Sequence, residues 1–294
     1  MALKRIEWNR RDALRKAGLG LLAAMPMGRS AAQGVPFRDP KLAARPATPD
    51  FHGLKVGLAS YSTRELSVDD TIACCRRAGI HYICIKDVHL KMTSTPDERK
   101  QFRAKFQDAG IQIVGCGVIY LKTEADVRPA FEYVRDLGAG TAVIGIQKDM
   151  VPAVEKVIKD FDIRAAIHNH GPEDRLGAYS PLDIIKWLKG TDPKLGLCID
   201  IGHTFRCGHE PSQAALECAS RLYDVHVKDL RDAAVKSPGV PMGQGSIDCV
   251  RFLKTLVKIK YQHHVALEYE VEGKDPVPGI CQSIGFERGV LAAL

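Results

Sequence analysis

Four short segments of the sequence combine imidazole and carboxylate side chains, which are common ligands of divalent metal ions. They are HNH at His168–His170, DIGH at Asp200–His203, HVKD at His226–Asp229 and LEYE at Leu267–Glu270. The steps from His168 to Asp200, from Asp200 to His226 and from His226 to Glu268 are 32, 26 and 42 residues long. Each step has room for a strand and a helix, so the four segments are spaced like the ends of successive strands.

The chain around these segments alternates short apolar strands with helices. Runs of Val, Ile and Leu are typical of parallel strands that are buried on both faces. We predict strands at Leu54–Ser60, Tyr82–Ile85, Ile111–Cys116, Ala142–Ile146, Ile163–His168, Leu195–Asp200, Leu222–Val227 and His264–Glu268. We predict helices at Asp69–Ala78, Pro96–Ala109, Glu124–Leu137, Val151–Phe161, Pro181–Leu188, Pro211–Ser220, Ile247–Ile259 and Ile280–Leu291.

Eight strand–helix units favour a single-domain α/β fold, the (β/α)8 TIM barrel. An open doubly wound sheet is the alternative, but no GxGxxG segment follows the first strand to support a dinucleotide fold. In a barrel, chemistry takes place at the C-terminal ends of the strands, where all four segments would meet.

Composition and charge limit the classes of function. The chain has 294 residues, of which 45% are hydrophobic and 26% are charged, as in ordinary globular proteins. No apolar run reaches 18 residues, so no transmembrane helix is predicted. The formal charge is +7, but residues 1–32 hold seven basic and two acidic side chains, which leaves only +2 for the remainder. Because the body lacks a Lys/Arg stripe with interleaved aromatics, no nucleic-acid partner is expected.

The first 32 residues resemble a twin-arginine export signal. The pair Arg10-Arg11 precedes a short apolar stretch, Ala17–Met25, and Ser30-Ala31-Ala32 supplies small residues for cleavage. We therefore predict a signal peptide at 1–32, a linker at 33–52 and the barrel at 53–294. The predicted location is the periplasm, reached through the twin-arginine export machinery. An ordinary basic amphipathic helix is the alternative for this segment.

The nine cysteines are an odd number and include no CxxC pair. Most of them lie inside apolar helix or strand patterns, which predicts buried thiols that pack as small hydrophobic groups. A protein that folds before export would shield these thiols from the oxidising periplasm.

Each strand-end residue has an ordinary structural role when it is taken alone. Asp200 would cap a helix, Glu268 would pair with a loop Lys, and a single strand-end His is more often structural than ligating. Together the residues indicate something else, because burying two carboxylates and several imidazoles without a counter-charge costs free energy. A divalent cation offsets that cost.

Residues 53–294 resemble the xylose-isomerase-like barrel family, which includes sugar phosphate isomerases and epimerases, inosose dehydratases and barrel-type apurinic endonucleases. The resemblance is carried by Leu197–His203, His226–Asp229, Gly243–Asp248 and Ala266–Glu270. It implies that Asp200, His226 and Glu268 bind one divalent metal ion and that His203 faces the substrate. The endonucleases use extra His ligands on early strands, where this chain offers only His89.

The chain departs from the family at the end of the fifth strand. Family epimerases usually place a Glu there, as a ligand and as one of two opposed bases, whereas this chain has His168. Strand alternation puts His170 on the same face, so either could be the fourth ligand, and we favour His168. An imidazole ligand favours Mn, Co, Zn or Fe over Mg.

The resemblance implies chemistry that begins beside a carbonyl group. A bound metal would stabilise the enolate that forms when a base removes the α-proton. Glu268 is the predicted base, and His203, His170 or Lys228 could return the proton or protonate a leaving group. The predicted substrate contacts are Lys86, His89, His170, His203 and Asp229.

The expected substrate is an unphosphorylated keto-sugar or an oxidised glycoside. Export argues against phosphorylated intracellular sugars, and Gly243-Gln244-Gly245 is better interpreted as a tight turn than as a phosphate nest. An isomerase or epimerase and a lyase or hydratase are both compatible with these residues. A non-catalytic periplasmic sugar-binding barrel is a further alternative, which the complete ligand set disfavours.

Overall fold

The computed structural model describes residues 51–174 and 180–294. The predicted signal peptide at 1–32, and all but the last two residues of the predicted linker at 33–52, lie outside the described residues. Within the described part, eight parallel strands form a closed barrel. The predicted TIM barrel is therefore confirmed, and the alternative of an open sheet is wrong.

The barrel strands follow one another around the ring in chain order, and the last strand pairs with the first. An antiparallel hairpin, β8–β9, is inserted between the seventh and eighth barrel strands. The strands are β1 Lys55–Ala59, β2 Tyr82–Ile85, β3 Gln112–Tyr120, β4 Thr141–Gly145, β5 Arg164–His168, β6 Leu195–Asp200, β7 Leu222–Val227, β8 Asp229–Leu230, β9 Gly239–Val240 and β10 His264–Leu267.

Helices connect the barrel strands, and local sequence signals set their ends. Thr95 and Glu98 form a capping box at the start of α2, and Gly79 ends α1 in the left-handed conformation at φ 68°. None of the described helices is both long enough and apolar enough to span a membrane. The helices are α1 Val68–Ala78, α2 Pro96–Asp108, α3 Glu124–Asp136, α4 Val151–Ile158, α5 Pro181–Trp187, α6 Ile201–Arg206, α7 Pro211–Cys218, α8 Cys249–Lys258 and α9 Val277–Ala292.

The main hydrophobic core lies between the strands and the surrounding helices, whereas the barrel lumen holds a small separate cluster. The lumen cluster consists of Cys84, Val118, Val143, Ala166 and Cys198. All nine cysteines are free; seven are buried, and Cys207 and Cys281 are partly exposed. The prediction that most of the thiols pack as buried hydrophobic groups agrees with this structure.

Two elements near the site differ from the sequence prediction. Strand β3 continues past Cys116 to Tyr120, and a six-residue helix, α6, begins directly after Asp200. Both additions extend the backbone at the C-terminal mouth of the barrel, where they place Tyr120 and Arg206 near the strand ends.

Candidate functional site

The four predicted metal ligands lie together at the C-terminal mouth of the barrel. One ligating atom from each of His168, Asp200, His226 and Glu268 lies within 4.8 Å of the others, and all four residues are buried. His168 Nε2 is 3.2 Å from His226 Nδ1 and 3.6 Å from Asp200 Oδ2. His226 Nδ1 is 3.4 Å from Glu268 Oε2. This geometry supports the predicted ligand set, and it favours His168 over His170 as the fourth member.

Strand register explains the convergence. Asp200 at the end of β6 pairs in register with His226 on β7, and Ala266 of β10 pairs with His226 from the other side. His168 is the last residue of β5, and Glu268 directly follows β10. Parallel strands bring all these ends to one mouth of the barrel.

A network of hydrogen bonds fixes Asp200. Its backbone N–H donates to Asn169 Oδ1 at 2.9 Å, and its Oδ1 accepts the backbone N–H of His203 at 2.8 Å, which caps α6. Thr204 Oγ1 donates to the Asp200 carbonyl at 2.7 Å and accepts from Asn169 Nδ2 at 3.2 Å. The other carboxylate oxygen, Oδ2, is buried, contacts the Lys228 ammonium at 3.0 Å and faces His168.

The Lys228 ammonium lies among three carboxylates. Its Nζ is 3.0 Å from Asp200 Oδ2, 2.7 Å from Glu268 Oε2 and 2.6 Å from Glu270 Oε1. Burial would lower the pKa of Lys228, but the carboxylates outweigh it and hold this pKa well above its usual value. Lys228 is therefore a fixed cation that donates hydrogen bonds, which makes it less suited than His203 or His170 to the predicted proton return.

The same contacts keep the two carboxylate ligands ionised. Burial alone would raise the pKa values of Asp200 and Glu268, but Lys228 and the neighbouring histidines together outweigh this effect and hold both well below their usual range. Ionised carboxylates are the form that binds a cation or accepts a proton.

His226 presents its two ring nitrogens to different groups. Nδ1 faces His168 and Glu268, whereas Nε2 lies 3.9 Å from Asp224 Oδ1, deeper in the lumen. Burial alone would lower the pKa of His226, but the carboxylates of Glu268, Asp224 and Asp200 raise it above its usual value. The histidine is thus surrounded by anionic groups on both edges of its ring.

Asp224 belongs to an inner polar cluster that sequence reasoning missed. Its Oδ2 lies 3.9 Å from His264 Nδ1, and its Oδ1 lies 3.9 Å from Cys198 Sγ. Burial raises the pKa of Asp224 to about 7 and lowers that of His264 to about 3. The available signal was the spacing to His226, because residues two apart on a strand point to the same face.

His170 and His203 lie beside the four-residue group. Their ring centroids are 4.6 and 5.8 Å from that of His168. The Tyr120 hydroxyl is 3.1 Å from His170 Nε2, and the Arg206 guanidinium contacts His203 Nδ1. Burial lowers the pKa of both His170 and His203, so neutral imidazoles are favoured. Sequence reasoning did not select Arg206, although it follows His203 by three residues and therefore shares its helical face.

Two further predicted substrate contacts, Lys86 and His89, occupy different surroundings. Lys86 lines a cavity beside His168, and its Nζ donates to the Val118 carbonyl at 2.5 Å. His89 Nε2 instead lies 3.2 Å from Thr71 Oγ1, and His89 does not line the cavities described below. Lys86 therefore lies at the candidate site and His89 lies outside its cavities, and the substrate contacts of both stay predictions.

Asp229 organises a loop at the edge of the site. Its Oδ2 accepts the backbone N–H groups of Gly243 and Gly245 at 2.9 and 2.8 Å. Its Oδ1 accepts those of Leu230 and Ile247 at 2.9 and 3.2 Å. Four backbone amides thus occupy the carboxylate and the Gly-rich segment forms a turn, while Asp229 also lines one of the cavities at the site, so its substrate contact stays a prediction.

Two cavities open beside the ligand group. The first, here called the ring cavity, has a volume of about 210 Å³; its lining includes Tyr61, Lys86, Tyr120, His168 and His170. The second, here called the hairpin cavity, has a volume of about 300 Å³; its lining includes Arg206, Lys228, Ser237, Val240, Met242 and Val271. His203, Glu268 and Glu270 line both cavities.

The donor set fits a divalent metal ion. Two buried imidazoles and two buried carboxylates surround one point, and the Asp200 and Glu268 oxygens there face the two imidazoles. Nitrogen donors of this kind suit Zn, Mn, Co or Fe, whereas Mg prefers an all-oxygen shell.

A family model described as "Xylose isomerase-like TIM barrel" matches residues 72–288. The chain belongs to the xylose isomerase-like TIM barrel family. The family match covers every strand that carries a predicted ligand.

Individual relatives are distant. A candidate L-ribulose-5-phosphate 3-epimerase of Escherichia coli (strain K12), SgbU, is 32% identical over 110 residues, which are 34% of this chain and only 38% of that protein. The IOLI protein, solved with a bound zinc atom, matches with a TM-score of 0.68 and 15% identity over 82% of this chain and 99% of its own. The probable 3-DHS dehydratase AsbF of Bacillus anthracis matches with a TM-score of 0.66 and 13% identity over 79% and 98%. The two structures share the fold.

Proposed function

We propose that the protein is a divalent-metal-dependent enzyme that removes a proton next to the carbonyl of an unphosphorylated keto-sugar or an oxidised glycoside. The observation that carries this proposal is the convergence of His168, Asp200, His226 and Glu268 within 4.8 Å beside a polar cavity. Family relatives that include an epimerase and a dehydratase by name support the reaction class.

His168, Asp200, His226 and Glu268 would hold the metal ion. When bound, the ion would polarise the substrate carbonyl and so acidify the neighbouring C–H group. Glu268 is the general base in this proposal, because it is ionised and lines both cavities. Asp200 is committed to capping α6 through its other oxygen and is less free to move.

His203 and His170 would deliver a proton from the other side. Both lie in the wall of the ring cavity, and burial lowers the pKa of each, which makes the protonated imidazole a stronger acid. Tyr120 orients His170, and Arg206 orients His203 through the contacts described above. Each histidine can therefore act without losing its alignment.

An unphosphorylated substrate is supported by the loop after the hairpin. The backbone N–H groups of Gly243 and Gly245 already donate to Asp229 and so are not available to a phosphate. The nest that phosphate recognition would use is thus filled by the protein's own carboxylate.

A lyase or hydratase is the second candidate, and the imidazole at the end of β5 favours it. A symmetric two-base epimerase needs a carboxylate on each side of the reacting carbon, and His168 replaces one of them. Loss of a β-substituent requires only one base and one acid, which Glu268 and His203 supply.

Proton NMR in D₂O of the metal-loaded protein with a panel of 2-keto and 3-keto sugars tests the proposal. We expect deuterium to enter the carbon next to the ketone, and the product spectrum then distinguishes epimerisation, isomerisation and elimination. Absence of exchange with every sugar, combined with sugar binding that does not depend on metal, would indicate the non-catalytic binding barrel.

We also propose that the protein acts in the periplasm after twin-arginine export. The support is the sequence of residues 1–32, which lies outside the described residues. A barrel that folds and binds its ion in the cytoplasm suits an export route for folded proteins.

A further inference from the structure

The ring cavity and the hairpin cavity meet at the residues that the proposed chemistry needs. Glu268, His203 and Glu270 line both of them. A sugar ring whose reacting carbon lies against Glu268 in the ring cavity therefore has the hairpin cavity directly beside it. The proposed proton abstraction does not itself use that second space, although at about 300 Å³ it exceeds the ring cavity at about 210 Å³.

Hydrogen bonds anchor two of the segments that line the hairpin cavity. Arg206 Nη1 donates to the Val235 carbonyl at 2.6 Å, which ties the hairpin loop to α6. Met242 N–H donates to Ser283 Oγ at 3.1 Å, which anchors the next segment to α9. These contacts indicate a preformed site, as small-molecule sites usually are.

The lining of the hairpin cavity combines apolar and charged side chains. Val240, Met242 and Val271 offer apolar surface, while Lys228, Arg206, Glu173 and Glu270 bring charge and Ser237 a hydroxyl. Lys228 pairs with Glu270 and Arg206 pairs with Glu173, so polar edges lie beside the apolar surface, and a purely aromatic group would offer them no hydrogen bonds. A sugar ring, with C–H faces and hydroxyl edges, can satisfy both kinds of surface.

We propose that the hairpin cavity binds a second sugar ring, so that the substrate is an oxidised disaccharide whose keto ring occupies the ring cavity. This inference rests on the proposed function and narrows its substrate class. It also assigns the reaction, because the bond between the two rings then lies next to His203, which is one of the three residues that line both cavities.

The step is an elimination when the ketone lies two carbons from the glycosidic carbon. Glu268 takes the proton from the intervening carbon, and its C–H electron pair forms a double bond to the glycosidic carbon. The C–O bond to the second ring breaks, and the departing oxygen takes a proton from the imidazolium form of His203, which returns to neutral imidazole. An unsaturated keto-sugar and a free sugar result, and no oxidant or reductant is consumed.

Three probes test this assignment with the metal-loaded protein. They are glucose oxidised to the ketone at C3, a glucosyl disaccharide oxidised at C3 of its non-reducing ring, and phenyl glucoside oxidised at C3. We measure kcat/KM for deuterium uptake at C2 and for release of the second group. We expect the disaccharide to exceed the free keto-sugar at least tenfold and to release its second sugar.

The variant Val240→Trp fills the hairpin cavity and should lower the ratio of disaccharide to keto-glucose kcat/KM at least tenfold. Val271→Trp narrows the same cavity and serves if Val240→Trp does not fold. Val250→Trp, an exposed site on α8, is the matched control and should leave the ratio unchanged. Calorimetric titration of the disaccharide and of keto-glucose into Glu268→Gln compares the binding of the two sugars without turnover.

The outcomes separate the two proposals. Equal rates for keto-glucose and the disaccharide, with a ratio unaffected by Val240→Trp, overturn the second-ring inference and leave the proposed function standing. Preference for the phenyl glucoside over the disaccharide also overturns it. Absence of deuterium uptake with all three probes overturns the proposed function and this inference together.

Discussion

The two carboxylate oxygens of Asp200 make different contacts. One oxygen caps α6, and the other faces His168 and Lys228. Asp200→Asn keeps an acceptor for the cap but removes the negative charge from the ligand group. We expect metal affinity to fall at least tenfold while the far-UV circular dichroism spectrum stays unchanged. Equilibrium dialysis with elemental analysis measures this, with the exposed Asp108→Asn as the control; equal metal content in both variants would remove Asp200 from the ligand set.

Glu268 is the one carboxylate of the ligand group that also lines both cavities. Glu268→Gln retains the shape but cannot accept the α-proton, so deuterium exchange should fall on the order of 10²–10⁴-fold. NMR in D₂O measures the loss. A much smaller effect would mean that another group takes the proton and that Glu268 serves only as a ligand.

His168 sets the difference between this chain and two-carboxylate epimerases. His168→Glu restores a carboxylate at the end of β5, opposite Glu268, and we expect the product to shift from elimination toward epimerisation. Product NMR of the two proteins on one keto-sugar compares them directly. If the unaltered protein epimerises the sugar and the Glu268→Gln variant still does so, the scheme with one carboxylate base is contradicted.

Asp224 is a candidate positioning residue for His226. Its Oδ1 lies 3.9 Å from His226 Nε2, and attraction between these two groups would favour the tautomer that leaves Nδ1 free toward the ligand group. Asp224→Asn should weaken metal binding about ten- to a hundredfold. Competition with a chromogenic chelator measures the affinity, and Asp224→Glu should recover part of it if orientation is the cause. Unchanged affinity in Asp224→Asn would assign Asp224 to lumen packing alone.

Helix α9 carries a buried carboxyl group that lowers the free energy of unfolding as the pH rises. Glu287 is fully buried, neither of its oxygens has a hydrogen-bond partner among the described residues, and burial raises its pKa from 4.5 to about 8. Between pH 4.5 and about 8, the Glu287 carboxyl group keeps its proton in the folded protein, whereas the unfolded chain has released it. The free energy of unfolding therefore falls as pH rises from about 4.5 to 8, by at most about 1.4 kcal/mol per unit.

Glu287→Gln should abolish this part of the pH dependence. Urea unfolding at several pH values between 5 and 8 measures it, and the variant should be the more stable protein at pH 8 by on the order of a few kcal/mol. The exposed Glu217→Gln is the control and should follow the parent protein. A variant whose pH profile parallels that of the parent would mean that Glu287 finds a partner that stabilises its charge.

The strands of the barrel were predictable from the sequence because each is a short apolar run bounded by helix-ending signals. The ligand positions followed from them, since strand ends of a parallel barrel meet at one mouth. Helix α6 was not predictable in the same way: its six residues are too few to display a helical period, and its cap, Asp200, was already assigned to the metal. The role of Asp229 depends on backbone amides of a loop, which side-chain patterns do not encode.

Among the proposed properties of the whole protein, export is supported only by a sequence motif. Replacing both Arg10 and Arg11 with Lys should trap the precursor in the cytoplasm, because the twin-arginine route reads the guanidinium pair. Cell fractionation followed by immunoblotting measures this, and Arg29→Lys is the matched control. A double variant that still reaches the periplasm would contradict the twin-arginine assignment.

Closure of the barrel depends on a strand that is synthesised late. Strand β1 is made early, but its partner β10 begins at His264, and their pairing joins Lys55 to His264. Glu268 follows immediately, so the last ligand leaves the ribosome together with the strand that seals the ring. A chain that stops short of this point lacks both the seam and the fourth ligand. Completion of the proposed ligand set thus coincides with completion of the ring of hydrogen bonds.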